Sequence, residues 1–254
     1  MNADLLAQPG LLLGAVLVFA LAGVVKGVVG LGLPTVSMAL LALFMPTGQA
    51  AAWLLLPSLV TNVLQMRPAA SLGPVLRQLW PMQLGVVVGT LGGVWWWGPL
   101  GQAAGARTLL GAALALYALW GLWGRAVALP QDHQGWMGAV AGLVTGGITA
   151  LTGVFVVPAV AYLQALQLPR QALMQAMGLS FTVSTLALGL GLSGLAGSSG
   201  PLDGAALGAS AAMLLPALLG MAVGERLRSR LSATAFKRVL MGSLLALGAY
   251  MLFN

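Results

Sequence analysis

Cysteine is missing from all 254 residues, and histidine occurs once, as His133. Without thiols there is no disulfide framework and no thiolate-bound metal, and a lone histidine in the polar stretch LPQDHQGW, read here as a loop, builds neither a zinc nor a haem centre. No cofactor is expected. Charge is scarce as well, at 6% of the residues against about 25% in soluble domains. There is no Gly-x-Ser-x-Gly, no histidine within an apolar segment and no acid in a segment interior, Glu225 lying at a helix end. An intramembrane enzyme would need a nucleophile–base pair or paired acids, so the chain is read as a non-enzyme. The net charge of +7 comes from basic residues spaced singly or in pairs. With no aromatic-interleaved basic patch, nucleic acid is excluded as a partner.

What the sequence holds instead is hydrocarbon, 59% of its residues being hydrophobic. That composition identifies an all-α polytopic membrane protein whose first partner is the lipid bilayer. MNADLLAQPG has no basic leading region and no small-residue cleavage site, so the first apolar stretch reads as a retained span. Spans need about 20 apolar residues, and breaking the chain at polar, Gly and Pro clusters gives segments at 9–26, 34–45, 49–66, 76–97, 106–124, 136–151, 155–168, 171–192, 204–224 and 233–253. The second, sixth and seventh are too short to cross untilted. Alternate loops place Lys26, Arg67, Arg77, Arg125, Arg170, Arg226, Arg228, Arg230, Lys237 and Arg238 on one side and Arg107 alone on the other. The positive-inside rule makes the crowded side cytoplasmic and sets both termini outside. The same parity holds if segments one and two, or six and seven, are re-entrant hairpins.

Internal similarity divides the chain. PMQLGVVVGT at 81–90 answers to PALLGMAVGE at 216–225, both Pro-x3-Gly-x3-Gly, and ARTLLGAALAL at 106–116 answers to KRVLMGSLLAL at 237–247. Pro34 and Pro46 answer to Pro158 and Pro169, and the longer loop at 191–204 absorbs most of the change in offset. Each half, 9–126 and 135–254, has five segments. An odd number forces the halves to enter the membrane in opposite directions, giving two inverted-topology repeats in a single transporter domain. Arg107 outside and Arg238 inside agree with that inversion.

Both halves break at matching places. In VVKGVVGLGLPTVS, residues 24–37, Pro34 lacks a donor and displaces the carbonyl of Gly30, while Gly27, Gly30 and Gly32 let the backbone turn. A short helix is expected to begin at Pro34, with Thr35 and Ser37 near its start, and another at Pro158, after TGGITALTGVFVVP with Thr149, Thr152 and Gly153. Broken helices survive at membrane depth only against protein or a polar cavity, so the two breaks point to one central site. Helix N-termini carry partial positive charge and unpaired N–H groups, and an anion suits them. Lys26 either adds a full charge to that site or snorkels to the cytoplasmic interface.

These paired Gly-x-Gly-x-Pro-like breaks, the PMQLGVVVG and PALLGMAVG segments and the basic ERLRSRLS loop resemble the sulfite exporter TauE/SafE family of membrane transporters over about residues 10 to 253. The resemblance implies export of small sulfur-containing anions such as sulfite, or of organosulfonates such as sulfoacetate. A passive anion channel, or a transporter of another small carboxylate or oxyanion, is the alternative. The glycine run of the family is richer than GLGLP or TGVFVVP here.

Polar side chains within the spans are the remaining candidates for substrate binding. Segment three carries Asn62 and Gln65 beside Ser58 and Thr61, and segment eight carries Gln175, Ser180 and Ser184 beside Thr182 and Thr185. Ser and Thr commonly bond their own helix, worth about 0.6 kcal/mol between membrane helices, whereas amides are costlier to bury. Trp95–Trp97 reads as an interfacial anchor. Gly85/Gly89, Gly142/Gly146 and Gly220/Gly224 read as helix-packing pairs, and Arg226, Arg228 and Arg230 as a topology signal. With no buried carboxylate, coupling to protons is expected to be indirect or absent. The composition leaves room for a homo-oligomer.

Overall fold

A computed structural model describes residues 9–98, 100, 105–124, 128–193 and 202–253. Within them the chain forms ten α-helices and one 3-10 turn. In chain order these are α1 (Pro9–Val29), α2 (Leu33–Leu41), α3 (Thr47–Gln65), α4 (Leu72–Trp97) and α5 (Ala106–Trp123). The second half follows with α6 (Gln131–Thr152), α7 (Ala159–Ala165), α8 (Arg170–Leu192), α9 (Gly204–Leu227) and α10 (Ala233–Phe253). No strand occurs among the described residues. Six helices, α1, α5, α6, α8, α9 and α10, are long and apolar enough to cross a membrane. Large apolar side chains such as Leu17, Leu84, Leu215 and Leu219 are exposed on the outside. Outward-facing leucines suit a solvent of lipid tails, and the protein is a multi-pass membrane protein.

The ten expected segments are all helices, with one substantive correction. α6 begins at Gln131 rather than 136, so LPQDHQGW is not a loop and the sixth segment, at 22 residues, is not too short to cross. Pro130 sets the entry and Asp132 lies in the first turn, where an acid complements the helix dipole. His133 stands in that turn with its ring edge-on to Trp136, 6.1 Å between centroids. The two short helices are shorter than expected, nine and seven residues. Arg125 and most of the 191–204 loop fall outside the described residues.

Both breaks occur where expected. α1 ends at Val29; Gly30 and Gly32 then take φ of 84° and 109°, the left-handed region that a Cβ disfavours, and Pro34 sits in the first turn of α2. α6 ends at Gly153, φ 70°, and Pro158 precedes α7. The backbone freed at the second break is satisfied locally. The Thr152 hydroxyl accepts from Val154 N at 3.2 Å and Thr149 Oγ1 reaches Val154 O at 3.4 Å. A Cβ on Gly153 would lie 3.0 Å from Met38 Cε of α2, so the second break abuts the short helix of the first.

The principal helix pairings recur when residues 9–126 and 135–254 are exchanged. α1 packs along α9 as α4 packs along α6, and α3 on α9 as α4 on α8, while α3 meets α8 and α5 meets α10. The first two seams are glycine-lined. A Cβ on Gly23 or Gly27 would collide with backbone oxygens of Ala217 and Met221, and one on Gly85 or Gly89 with those of Ala139 and Leu143. Such seams let backbones touch, which is how apolar helices associate where lipid competes for every apolar contact. Contact register fixes the directions. Gln65 reaches Met174 while Leu55 lies by Gly189, so α3 and α8 run antiparallel; Gly111 meets Gly248 while Gly121 meets Met241, so α5 and α10 do too.

Candidate functional site

At the end of α1 the glycine seam with α9 holds Lys26 against the protein interior, where it is 3% exposed. Its ammonium donates to Asn62 Oδ1 on α3. Lys26 is thus turned inward onto a neutral amide and not outward along the surface. Among the described residues Asn62 Nδ2 has no partner, and neither has the Oε1 of Gln65 one turn on, whose Nε2 donates to Met174 O of α8 at 3.1 Å. Thr61 Oγ1 donates to Pro57 O at 2.6 Å. Pro57 lacks an N–H and frees the Trp53 carbonyl, which accepts instead from Ser210 of α9 at 2.9 Å. α3 is therefore pinned beside α1 and α9 despite the proline.

These groups meet at a cavity of about 160 Å³ walled by Lys26, Gly27, Gly30, Thr61 and Gln65, with Met174, Glu225 and Arg228 at its rim. A Cβ on Gly30 would strike the Met174 methyl, so the first break and α8 close one side. Two cations and one carboxylate make the lining net positive. Glu225 is exposed, and no ion pair to Lys26 forms among the described residues. A charge taken out of water without a counter-ion costs several kcal/mol, and the lining leaves this one without an acidic partner among the described residues. Chemically it offers an ammonium, a guanidinium, an amide pinned through its nitrogen and a hydroxyl already bonded to its own helix, but no nucleophile with an adjacent base and no metal-binding cluster among the described residues.

The remaining residues expected at the site divide. Gly30, Lys26 and Gln65 line the cavity, and Asn62, outside its lining, joins them only by accepting from Lys26. Thr35 and Ser37 are fully buried at the start of α2, their hydroxyls without partners, apart from this cavity's lining; Gly32 likewise serves the turn. Thr149 and Thr152 donate to Thr145 O and Ile148 O, both at 2.7 Å, and belong with Gly153 to the second break. Gln175 donates to Met66 O, Pro68 O and Ser71 Oγ at 2.8–3.1 Å, tying α8 to the α3–α4 link. Ser180 accepts from Gln83 at 2.8 Å, and Ser184 is buried on the same helix.

Arg228 and Glu225 are the cavity residues that sequence reasoning assigned elsewhere, to a topology loop and a helix end. Only the structure shows the link: Gly27 packs on Gly224 and Glu225, which brings Glu225 to the level of Lys26.

The sulfite exporter TauE/SafE family matches residues 15–251, nearly the whole chain. The chain belongs to the sulfite exporter TauE/SafE family. That is a family of membrane transporters, which accords with the six candidate spans. No curated protein and no solved structure matches the chain. Within TauE/SafE, therefore, what this member binds has to be argued from its own side chains.

Proposed function

We propose that this TauE/SafE member exports a small sulfur-containing anion, sulfite or a short organosulfonate such as sulfoacetate, across the bacterial inner membrane. The observation that carries the proposal is Lys26: a buried ammonium whose partner is a neutral amide, at the wall of a small net-positive cavity. Asn62 positions the ammonium, while Arg228 and the second Nε2 hydrogen of Gln65 supply further donors around a compact oxyanion. Charge-assisted bonds to oxyanions are about twice as strong as neutral ones, so an oxyanion gains more here than a neutral solute of equal size.

Alternating access by two inverted halves, 9–126 and 135–254, is the mechanism this reading requires. It is supported by packing that survives exchange of the halves and by the antiparallel course of α3 against α8 and α5 against α10. Rocking of one half on the other would open the cavity to each side in turn. The reading is tested by sulfite binding to purified protein and by counterflow in proteoliposomes. Saturable binding, lowered in Lys26→Met, with trans-stimulated uptake is expected. Binding without trans-stimulation would leave an anion channel, and preference for an organic cation would reject the site.

A further inference from the structure

Beside the small cavity lies a second one, of about 460 Å³, that shares Met174 and Arg228 with it. It is walled by the ends of α1, α5 and α9 and the beginnings of α8 and α10. Three cations line it, Arg170, Arg228 and Lys237, with no acid among its lining residues. Arg228 and Lys237 are half-buried, and none of the three has a hydrogen-bond or ion-pair partner among the described residues. Unpaired cations in a partly desolvated concavity raise the local anion concentration by 10- to 1,000-fold. Most of the remaining wall is apolar, including Trp120, Leu173 and Met241, with Gln164 and Thr234 among its uncharged polar members.

From this juxtaposition we propose that the larger cavity is a separate vestibule that captures organic sulfonates, cationic side chains holding the head and the Trp120 wall holding a short carbon tail. It would deliver them past Met174 to the cavity at Lys26. The proposal rests on the anion-transport reading and deepens it, since a simple inorganic oxyanion has no tail for the wall to recognise. An anionic lipid offers the same head-and-tail chemistry, and the test separates the two sources.

The absence of cysteine makes a single reporter thiol feasible. Thr234 lines the vestibule and is exposed, so Thr234→Cys protein in phosphatidylcholine nanodiscs is treated with an anionic sulfonatoethyl or a cationic trimethylammonioethyl methanethiosulfonate. Each reagent forms a mixed disulfide with the thiolate and releases methanesulfinate. Relative to a free thiol in solution, the anionic-to-cationic rate ratio is expected to rise about tenfold or more. It should fall back when Arg170→Gln and Lys237→Gln are added. Alkanesulfonates should protect the thiol with potency rising about fourfold per methylene from methane- to butanesulfonate, and Trp120→Ala should flatten that rise.

A ratio equal to the free thiol's, or one unmoved by the paired glutamines, overturns the proposal. So does protection by soluble dihexanoyl phosphatidylglycerol but not by butanesulfonate, which would make this a lipid site. Lys26→Met in the same background separates the two claims: loss of sulfite binding with retained thiol protection speaks to the small cavity alone. Sulfite binding that ignores Lys26, with an intact rate ratio, removes the central reading and leaves the vestibule standing.

Discussion

Lys26 is the residue on which most depends, because it alone carries a full charge into the interior of the first span. Replacing it with Met keeps much of the apolar stem and deletes the charge. Sulfite affinity should then fall ten- to a hundredfold, the 1.5–3 kcal/mol scale of a hydrogen bond to a charged group, and Lys26→Arg should restore only part, since a planar fork does not fit a point-charge seat. Isothermal titration on well-folded protein checks both. Gln175 predicts the opposite pattern. Its three bonds join α8 to Met66, Pro68 and Ser71, so Gln175→Leu should lower the melting temperature while leaving sulfite affinity within about twofold, and a thermal melt beside the titration separates the two. Lys26, Asn62 and Gln65 were legible as candidates because buried charge and amides are expensive in lipid. That Lys26 turns to Asn62 was not, since a side-chain direction depends on a helix 36 residues away. Gln175 was read as substrate-binding because an amide in an apolar helix has the same sequence signature whether it meets a ligand or a backbone carbonyl.

At the scale of elements, the helices and both breaks followed from hydrophobic runs punctuated by glycine and proline. α6 was misjudged at one end because Gln131, Asp132, His133 and Gln134 read as loop by polarity; Pro130 and an acid in the first turn are equally the signature of a helix start. The seams were half legible. Gly85/Gly89, Gly142/Gly146 and Gly220/Gly224 stood out, whereas Gly23/Gly27 was masked by the break that shares Gly27. The seams make a stability prediction. A Cβ at Gly89 meets backbone, which cannot step aside as a side chain can; Gly89→Val should cost about 1–3 kcal/mol, the overpacking range, and Gly224→Val on the equivalent seam a similar amount. Gly92, which faces open space, is the control: Gly92→Val should leave the melting temperature within a degree or two. Equal losses at Gly89 and Gly92 would mean that glycine matters there for reasons other than helix approach.

The whole molecule carries its charge unevenly between two mouths at opposite ends of α5. One mouth has Arg170, Arg228 and Lys237. The other, a cavity of about 560 Å³ walled by the α2–α3 turn and the start of α5, has Arg107 alone, its guanidinium 5.8 Å from the Tyr250 ring centroid and its Nε without a hydrogen-bond partner. The positive-inside rule assigns the side of the basic mouth to the cytoplasm, and on the export reading proposed above anions would be gathered there and released where attraction is weaker. The membrane potential adds about 2.3 kcal/mol per charge per 100 mV in the outward direction for an anion. Steering by partly exposed cations is screened once the Debye length, about 30 Å at 0.01 M salt, contracts to about 8 Å at 0.15 M. Hence the apparent affinity for sulfite presented to the basic mouth should weaken over that salt range by more than the affinity measured at the Arg107 mouth. Proteoliposomes can be sorted by whether trypsin reaches the Arg226–Arg230 loop from outside, and labelled sulfite uptake measured for each orientation. A steeper salt dependence at the Arg107 mouth, or equal slopes at both, would mean that the crowded cations set topology only and take no part in gathering substrate.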